Sequence, residues 1–135
     1  MRGKVFLDTN ILVYLHSLKE ERKRIISTDL LETRDCCTSV QALNEFCNVS
    51  LKKLNRSRDE IEQALDEMRD MCTICAVSLN TIRYALALHT RYGYSYYDCV
   101  MLACALENDC GIFCSEDLSS GQTIDNRLLI INPFT

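Results

Sequence analysis

A chain of 135 residues with 47% hydrophobic content can bury a full core and suits a single domain over residues 1–135. A net charge of −4 excludes a protein that holds nucleic acid by bulk positive charge. One proline and four glycines leave no low-complexity linker, and the apolar runs fall short of the roughly 18 residues a membrane span needs.

The charge is uneven: residues 1–60 carry 11 basic and 9 acidic side chains, residues 61–135 carry 4 and 10. This pattern suits an acidic pocket with a basic surround, or a basic partner. The first apolar run stops at Asp8 after three residues, unlike a signal peptide. The nine cysteines therefore read as reduced thiols of a cytoplasmic protein, several of them small core residues. Cys72-x-x-Cys75 lacks a second pair at zinc-finger spacing.

In chain order, Val5-Phe6-Leu7 reads as a short buried strand ending on Asp8, with Thr9 or Asn10 capping a helix over 11–16. A turn or cap role accounts for Asp8 equally well at this level. A charged helix follows from about 19 to 34, with Ile26 and Leu30 inward. Residues 36–38 predict a brief strand, and Thr38 or Ser39 a cap. The next helix carries Val40, Leu43, Cys47, Leu51 and Leu54 on one narrow stripe, expected to face the core. Glu45 lies opposite that stripe, so periodicity alone places it in solvent. Ser57-Arg58-Asp59-Glu60 is a capping box opening a helix through 71.

A third strand is expected over 74–77, then a helix over 80–92 stopped by Gly93. His89 falls on its Ile82/Ala85/Leu86 stripe and reads as a packed core histidine. Residues 99–106 are apolar all round, which predicts a buried helix, and Ser95-x-x-Asp98 before them is another capping box. Residues 111–114 form a buried strand running into Ser115-Glu116-Asp117, and 128–131 a last strand. Strands separated by helices predict a three-layer α/β/α fold around a parallel sheet of four to five short strands.

Open parallel sheets build sites at the carboxyl ends of their strands, where Asp8 and Asp117 hold matching places. Asp98 shares a helix face with Met101, Leu102 and Ala105, which drives its carboxylate inward. If such acids converge, they raise one another's pKa values unless a cation neutralises them. Hard oxygen ligands match Mg²⁺ or Mn²⁺, and such a site suits phosphodiester hydrolysis.

Phe6-Leu7-Asp8-Thr9-Asn10, Asn44-Glu45, Ser95-Tyr96-Tyr97-Asp98 and Ser115-Glu116-Asp117 resemble, in order and spacing, the four acidic motifs of PIN-domain nucleases. The tail through Gly121-Gln122, Ile124 and Asn132-Pro133-Phe134 is similar to the VapC-type toxin branch of toxin–antitoxin pairs. The resemblance implies a metal-dependent endoribonuclease, commonly homodimeric, with an RNA substrate and a cognate antitoxin. By position, Asp8, Glu45, Asp98 and Asp117 become the catalytic acids, with Asp8, Asp98 and Asp117 on the metal. Thr9, Asn10 and Ser115 become hydrogen-bonding support. The family pattern thus moves Glu45 from solvent to the edge of a cleft. Lys52, Lys53, Arg56 and Arg58, at the junction of two helices, are candidates for RNA phosphates, although a solvated helix end explains them too.

Two other readings compete. Asp8 as the nucleophile of an aspartyl-phosphate enzyme is disfavoured, because the second acid of those enzymes, two residues on, is here Asn10. A non-catalytic binding module would keep the fold and use the acids for stability.

Overall fold

A computed structural model describes residues 3–135. The elements in order are β1 (Lys4–Leu7), α1 (Thr9–Leu15), α2 (Glu21–Thr33), β2 (Cys36–Ser39), α3 (Val40–Lys52) and α4 (Arg58–Met71). Then come β3 (Thr73–Cys75), α5 (Leu79–Tyr92), α6 (Tyr96–Glu107), β4 (Cys110–Cys114), β5 (Thr123–Ile124) and β6 (Leu128–Ile131). The sheet order is β3-β2-β1-β4-β6-β5. All pairings are parallel except the short β5–β6 hairpin.

β1 is central, as a strand without polar alternation requires: Val5, Phe6 and Leu7 are fully buried. Phe6 stacks on Phe113 of the neighbouring β4, ring centroids 5.0 Å apart. Right-handed crossovers put α1 to α4 on one face of the sheet and α5 and α6 on the other. α6 is the interior helix of its layer, and Cys99 to Leu106 are all buried. Its all-round apolar sequence reflects contact with the sheet on one side and α5 on the other.

The sheet has one strand more than expected. β5 was hidden because it spans two residues, too few for periodicity. Its signal was the dipeptide Asp125-Asn126, whose left-handed φ angles of 49° and 57° make the tight turn into β6. The third strand is Thr73–Cys75, ending earlier than the apolar run to Val77 suggested.

Two packing expectations fail. The apolar stripe of α3 only skirts the core: Leu43 and Cys47 pack against it partly buried, Val40 is 43% and Leu51 57% exposed, and the fully buried face is Ala42, Phe46 and Ser50. Small side chains at 42 and 50 let that other face approach its neighbours closely. His89 is also exposed, with Nδ1 2.6 Å from the Tyr94 carbonyl oxygen. The buried face of α5 is Thr81, Ala85 and Leu88.

All nine cysteines are free and eight are buried. Burial pushes the Cys36 and Cys72 thiols up to about 11, so both stay protonated at neutral pH. The capping box of α4 forms as expected, with Ser57 Oγ accepting the Glu60 N–H and Glu60 accepting the Ser57 N–H. Ser57→Ala is expected to cost about 1 kcal/mol, a fall of about 3 to 5 °C in a thermal melt.

Candidate functional site

The carboxyl ends of β1 and β4 lie side by side: the Asp8 N–H donates to the Cys114 carbonyl at 3.1 Å. Four acids are delivered to this end by separate elements. Asp8 directly follows β1, and Asp117 lies on the loop after β4. Glu45 sits on α3, which Ser39 caps at the end of β2. Only two residues separate the end of α6 from the start of β4. It therefore runs antiparallel to that strand and presents Asp98, in its first turn, at the same end.

Asp8 is 4% exposed. Its Oδ1 accepts the Thr9 N–H at 2.6 Å, and its Oδ2 accepts the Ser115 hydroxyl at 2.7 Å. The cap expected of Thr9 or Asn10 is thus supplied by Asp8 itself. A cap alone leaves unexplained why this carboxylate is buried. Burial pushes its pKa up to about 7; the Ser115 and Thr9 hydrogen bonds oppose the rise, and the charges of Asp98 and Glu45 add to it.

Glu45 is half-buried rather than solvated, because it adjoins the Ala42/Phe46 face instead of opposing the true core stripe. Its Oε1 accepts the Thr9 hydroxyl at 3.3 Å and its Oε2 accepts the Gln41 amide at 3.0 Å. Asn10 Nδ2 donates to Asp117 Oδ2 at 2.5 Å. Ser115 Oγ also accepts the Asp117 and Leu118 N–H groups, both at 3.2 Å, so its donor and both its lone pairs are engaged. The three predicted supporting residues Thr9, Asn10 and Ser115 each bond an acid.

Asp98 forms only half of its expected capping box, its N–H donating to Ser95 Oγ at 3.3 Å. Burial pushes its pKa up, the Ser95 hydrogen bond opposes this, and the Asp117 charge adds to it. Among the described residues, none of the four acids forms an ion pair. Nor, among those residues, do three His, Cys, Asp or Glu side chains gather closely as ligands of one ion.

A second network braces the loop that carries Asp117. Lys23 pairs with Glu116, whose Oε1 also accepts the Tyr14 hydroxyl at 2.5 Å. Burial works against the Glu116 carboxylate, but Lys23 and Tyr14 outweigh it and keep its pKa low. The Lys23 ammonium lies 4.8 Å from the Tyr14 ring centroid and 5.6 Å from that of Phe134. Gln41, Tyr14, Lys23 and Glu116 were not singled out in the sequence. Gln41 had a readable signal, its i,i+4 spacing to Glu45, whereas Lys23 and Glu116 had none, being 93 residues apart.

Of the basic candidates, Lys52, Lys53 and Arg58 are exposed, and Arg58 pairs with Glu62 at 3.9 Å. Arg56 is half-buried and its guanidinium donates to the His16 carbonyl, a fold contact.

The chain is similar in structure to VapC20 of Mycobacterium tuberculosis, described as a sarcin–ricin-loop-cleaving toxin. The TM-score is 0.68 at 16% identity, over 84% of this chain and 91% of that one. A toxin–antitoxin complex from Klebsiella pneumoniae superimposes with a TM-score of 0.70 at 19% identity, covering 96% of this chain and 97% of that one. VapBC2 of Rickettsia felis, bound to a promoter DNA fragment, gives 0.63 at 18% identity over 84% and 88%. At these identities the likeness is one of fold. No curated protein matches the sequence. The PIN domain profile, however, matches residues 5–119, which include all four acids and most of the chain, and the protein belongs to the PIN domain family.

Proposed function

We propose that the protein is a divalent-metal-dependent endoribonuclease, the toxin of a toxin–antitoxin pair, acting at Asp8, Glu45, Asp98 and Asp117. One observation carries this reading. Asp8 is buried at the end of the central strand, faces the charges of Asp98 and Glu45, and has no cationic partner among the described residues. A buried acid facing like charges without a counter-ion is costly, and a bound cation removes the cost.

The donor set is all carboxylate, with amide and hydroxyl oxygens around it, which fits Mg²⁺ or Mn²⁺ better than a softer ion. Asp8, Asp98 and Asp117 would hold it. When bound, the ion supplies Lewis acidity at a phosphoryl oxygen and favours hydroxide at neutral pH. The residues divide the remaining work. Thr9 and Ser115 fix both oxygens of Asp8, and Asn10 aims Asp117. Thr9 and Gln41 orient Glu45, which accepts a proton from the attacking water. Lys52, Lys53 and Arg58 take RNA phosphates further out.

The partner reading is a cognate antitoxin, supported by the neighbours that are toxin–antitoxin complexes. A groove of about 450 Å³ bordered by Tyr14, Leu18, Leu54 and Arg56 suits an antitoxin segment, since Leu18 is 91% exposed there. The outward apolar residues Val40, Leu51 and Leu54 support a homodimer. Among the described residues no helix is long and apolar enough to cross a membrane.

A non-catalytic module is the second reading, favoured by the absence of three converging ligands among the described residues. Purified protein is expected to cut total cellular RNA with Mn²⁺ and to leave it intact with EDTA. Intact RNA in both, together with no heat of Mn²⁺ binding, would establish the module instead.

A further inference from the structure

Beside Glu45 a cleft of about 440 Å³ is lined by Gln41, Asn44, Glu45, Asn48 and Tyr97. The four α3 residues fall at i, i+3, i+4 and i+7, one face of the helix. Tyr97 comes from the first turn of α6 and stands 58% exposed, its ring tilted against Tyr96 at 5.4 Å. An exposed aromatic ring that shares a cleft with three carboxamides is an unusual surface for a stability role. The Lys23 network, by contrast, is satisfied within the fold.

The chemistry of this cleft is specific. No lysine or arginine lines it, so it does not suit a phosphate. Its one acid is already engaged, with Thr9 on Oε1 and Gln41 on Oε2. What remains are the amides of Asn44 and Asn48, the free donor and acceptor of Gln41, and an open π-face. Each amide offers two donors and an acceptor, matching the mixed edges of nucleobases. Single-stranded RNA is read in this way, by splayed bases stacked on aromatic rings and hydrogen-bonded along their edges. The cleft also adjoins the acid site covalently: Glu45 belongs to both, and Tyr97 directly precedes Asp98.

We propose that this cleft is a base-reading subsite, in which Gln41, Asn44 and Asn48 bond the edge of an unpaired nucleobase flanking the scissile phosphate and Tyr97 stacks on its face. The inference rests on the ribonuclease reading for the identity of the ligand, and extends it to sequence preference. It assigns the selection of the cut position to α3 and the start of α6 rather than to the basic helix junction.

Cut ends are mapped on random-sequence single-stranded RNA with Mn²⁺ for wild type, Tyr97→Phe, Tyr97→Ala and Asn48→Ala. Wild type and Tyr97→Phe are expected to share a nucleotide preference at one position beside the cut. Tyr97→Ala and Asn48→Ala are expected to lose it and to raise KM about tenfold, the size of a lost base-stacking contact. The same preference in all four proteins, or none in wild type that cuts, overturns the subsite while leaving the nuclease intact. If wild type cuts nothing, the nuclease reading fails and a second measurement decides the subsite. The protein has no tryptophan, so Tyr97→Trp gives a single reporter whose fluorescence is titrated with a short single-stranded oligoribonucleotide. Quenching that weakens about tenfold when Asn48→Ala is added supports the subsite; no quenching overturns it.

Discussion

Asp98→Asn is expected to lower Mn²⁺-dependent RNA cleavage by at least about a hundredfold, the scale of losing a group that acts on the reacting atoms. Asparagine has the shape of aspartate and keeps the N–H that donates to Ser95 Oγ at 3.3 Å, so α6 still starts where it does. Losing the negative charge at a helix N-terminus costs about 0.3 to 1 kcal/mol. Burial already disfavours that charge, since it pushes the Asp98 pKa up. The two effects oppose each other, and the melting temperature should move by no more than a few degrees. Loss of cleavage with the fold retained assigns Asp98 to the chemistry. Wild-type rates in Asp98→Asn, with initial rates followed against Mn²⁺ concentration, would remove it from the site and leave Ser95-x-x-Asp98 as a cap alone.

Metal-free protein is expected to become less stable as pH rises from about 4 to 7. Asp8 binds its proton more tightly when folded, with a pKa of about 7 against an ordinary 3.8. The folded state therefore carries the extra proton between those values, and stability falls as pH rises through them. The full loss is about 4 kcal/mol by linkage, complete above pH 7 and absent below 4. Asp8→Asn removes this dependence. The variant should melt about 5 to 10 °C above wild type at pH 8 and several degrees below it at pH 4. The gain is less than the whole penalty, because Ser115 Oγ has both lone pairs taken and cannot also accept from an asparagine amide. Mn²⁺ should restore wild type at pH 8 and leave Asp8→Asn unmoved. Parallel pH slopes for the two proteins would show that Asp8 is not the group that titrates.

The two predictions concern one trade-off. At the end of β1 the chain keeps an acid that the metal-free fold would be more stable without, and it secures both oxygens of that acid with Thr9 and Ser115. On the proposed function, such a position is kept for what the carboxylate does, at a cost to stability.

Asp8, Asp98 and Asp117 were legible in the sequence because each stands at a locally marked place, after an apolar strand or after a Ser cap, whereas Glu45 came only from the family resemblance. The alternation of strands and helices, the interior helix α6 and the capping box of α4 were legible for the same reason. Their signals are periodicity and capping, which act over a few residues. Glu45 shows where this ends. Its wheel position was right, but the reference stripe was not the buried one, so the inference to solvent failed. Hydrophobicity ranked Val40 and Leu51 above Ala42 and Ser50. Packing reversed the order, because Ala42 and Ser50 flank Phe46 on the face that meets the interior and Val40 and Leu51 do not. His89 was misplaced on α5 by the same reasoning.

The family resemblance, the alternation of strands and helices, and the positions of Asp8 after one apolar strand and Asp117 after another follow from the sequence by itself, since capping and periodicity act over a few residues. Tertiary structure alone decided which faces are buried, that Asp8 caps α1 while its own carboxylate is desolvated, that Lys23 reaches Glu116, and that Tyr97 shares a cleft with the amides of α3. Each of these depends on what a distant segment brings into contact. Burial is a property of the neighbour as much as of the residue, and no local pattern encodes the neighbour.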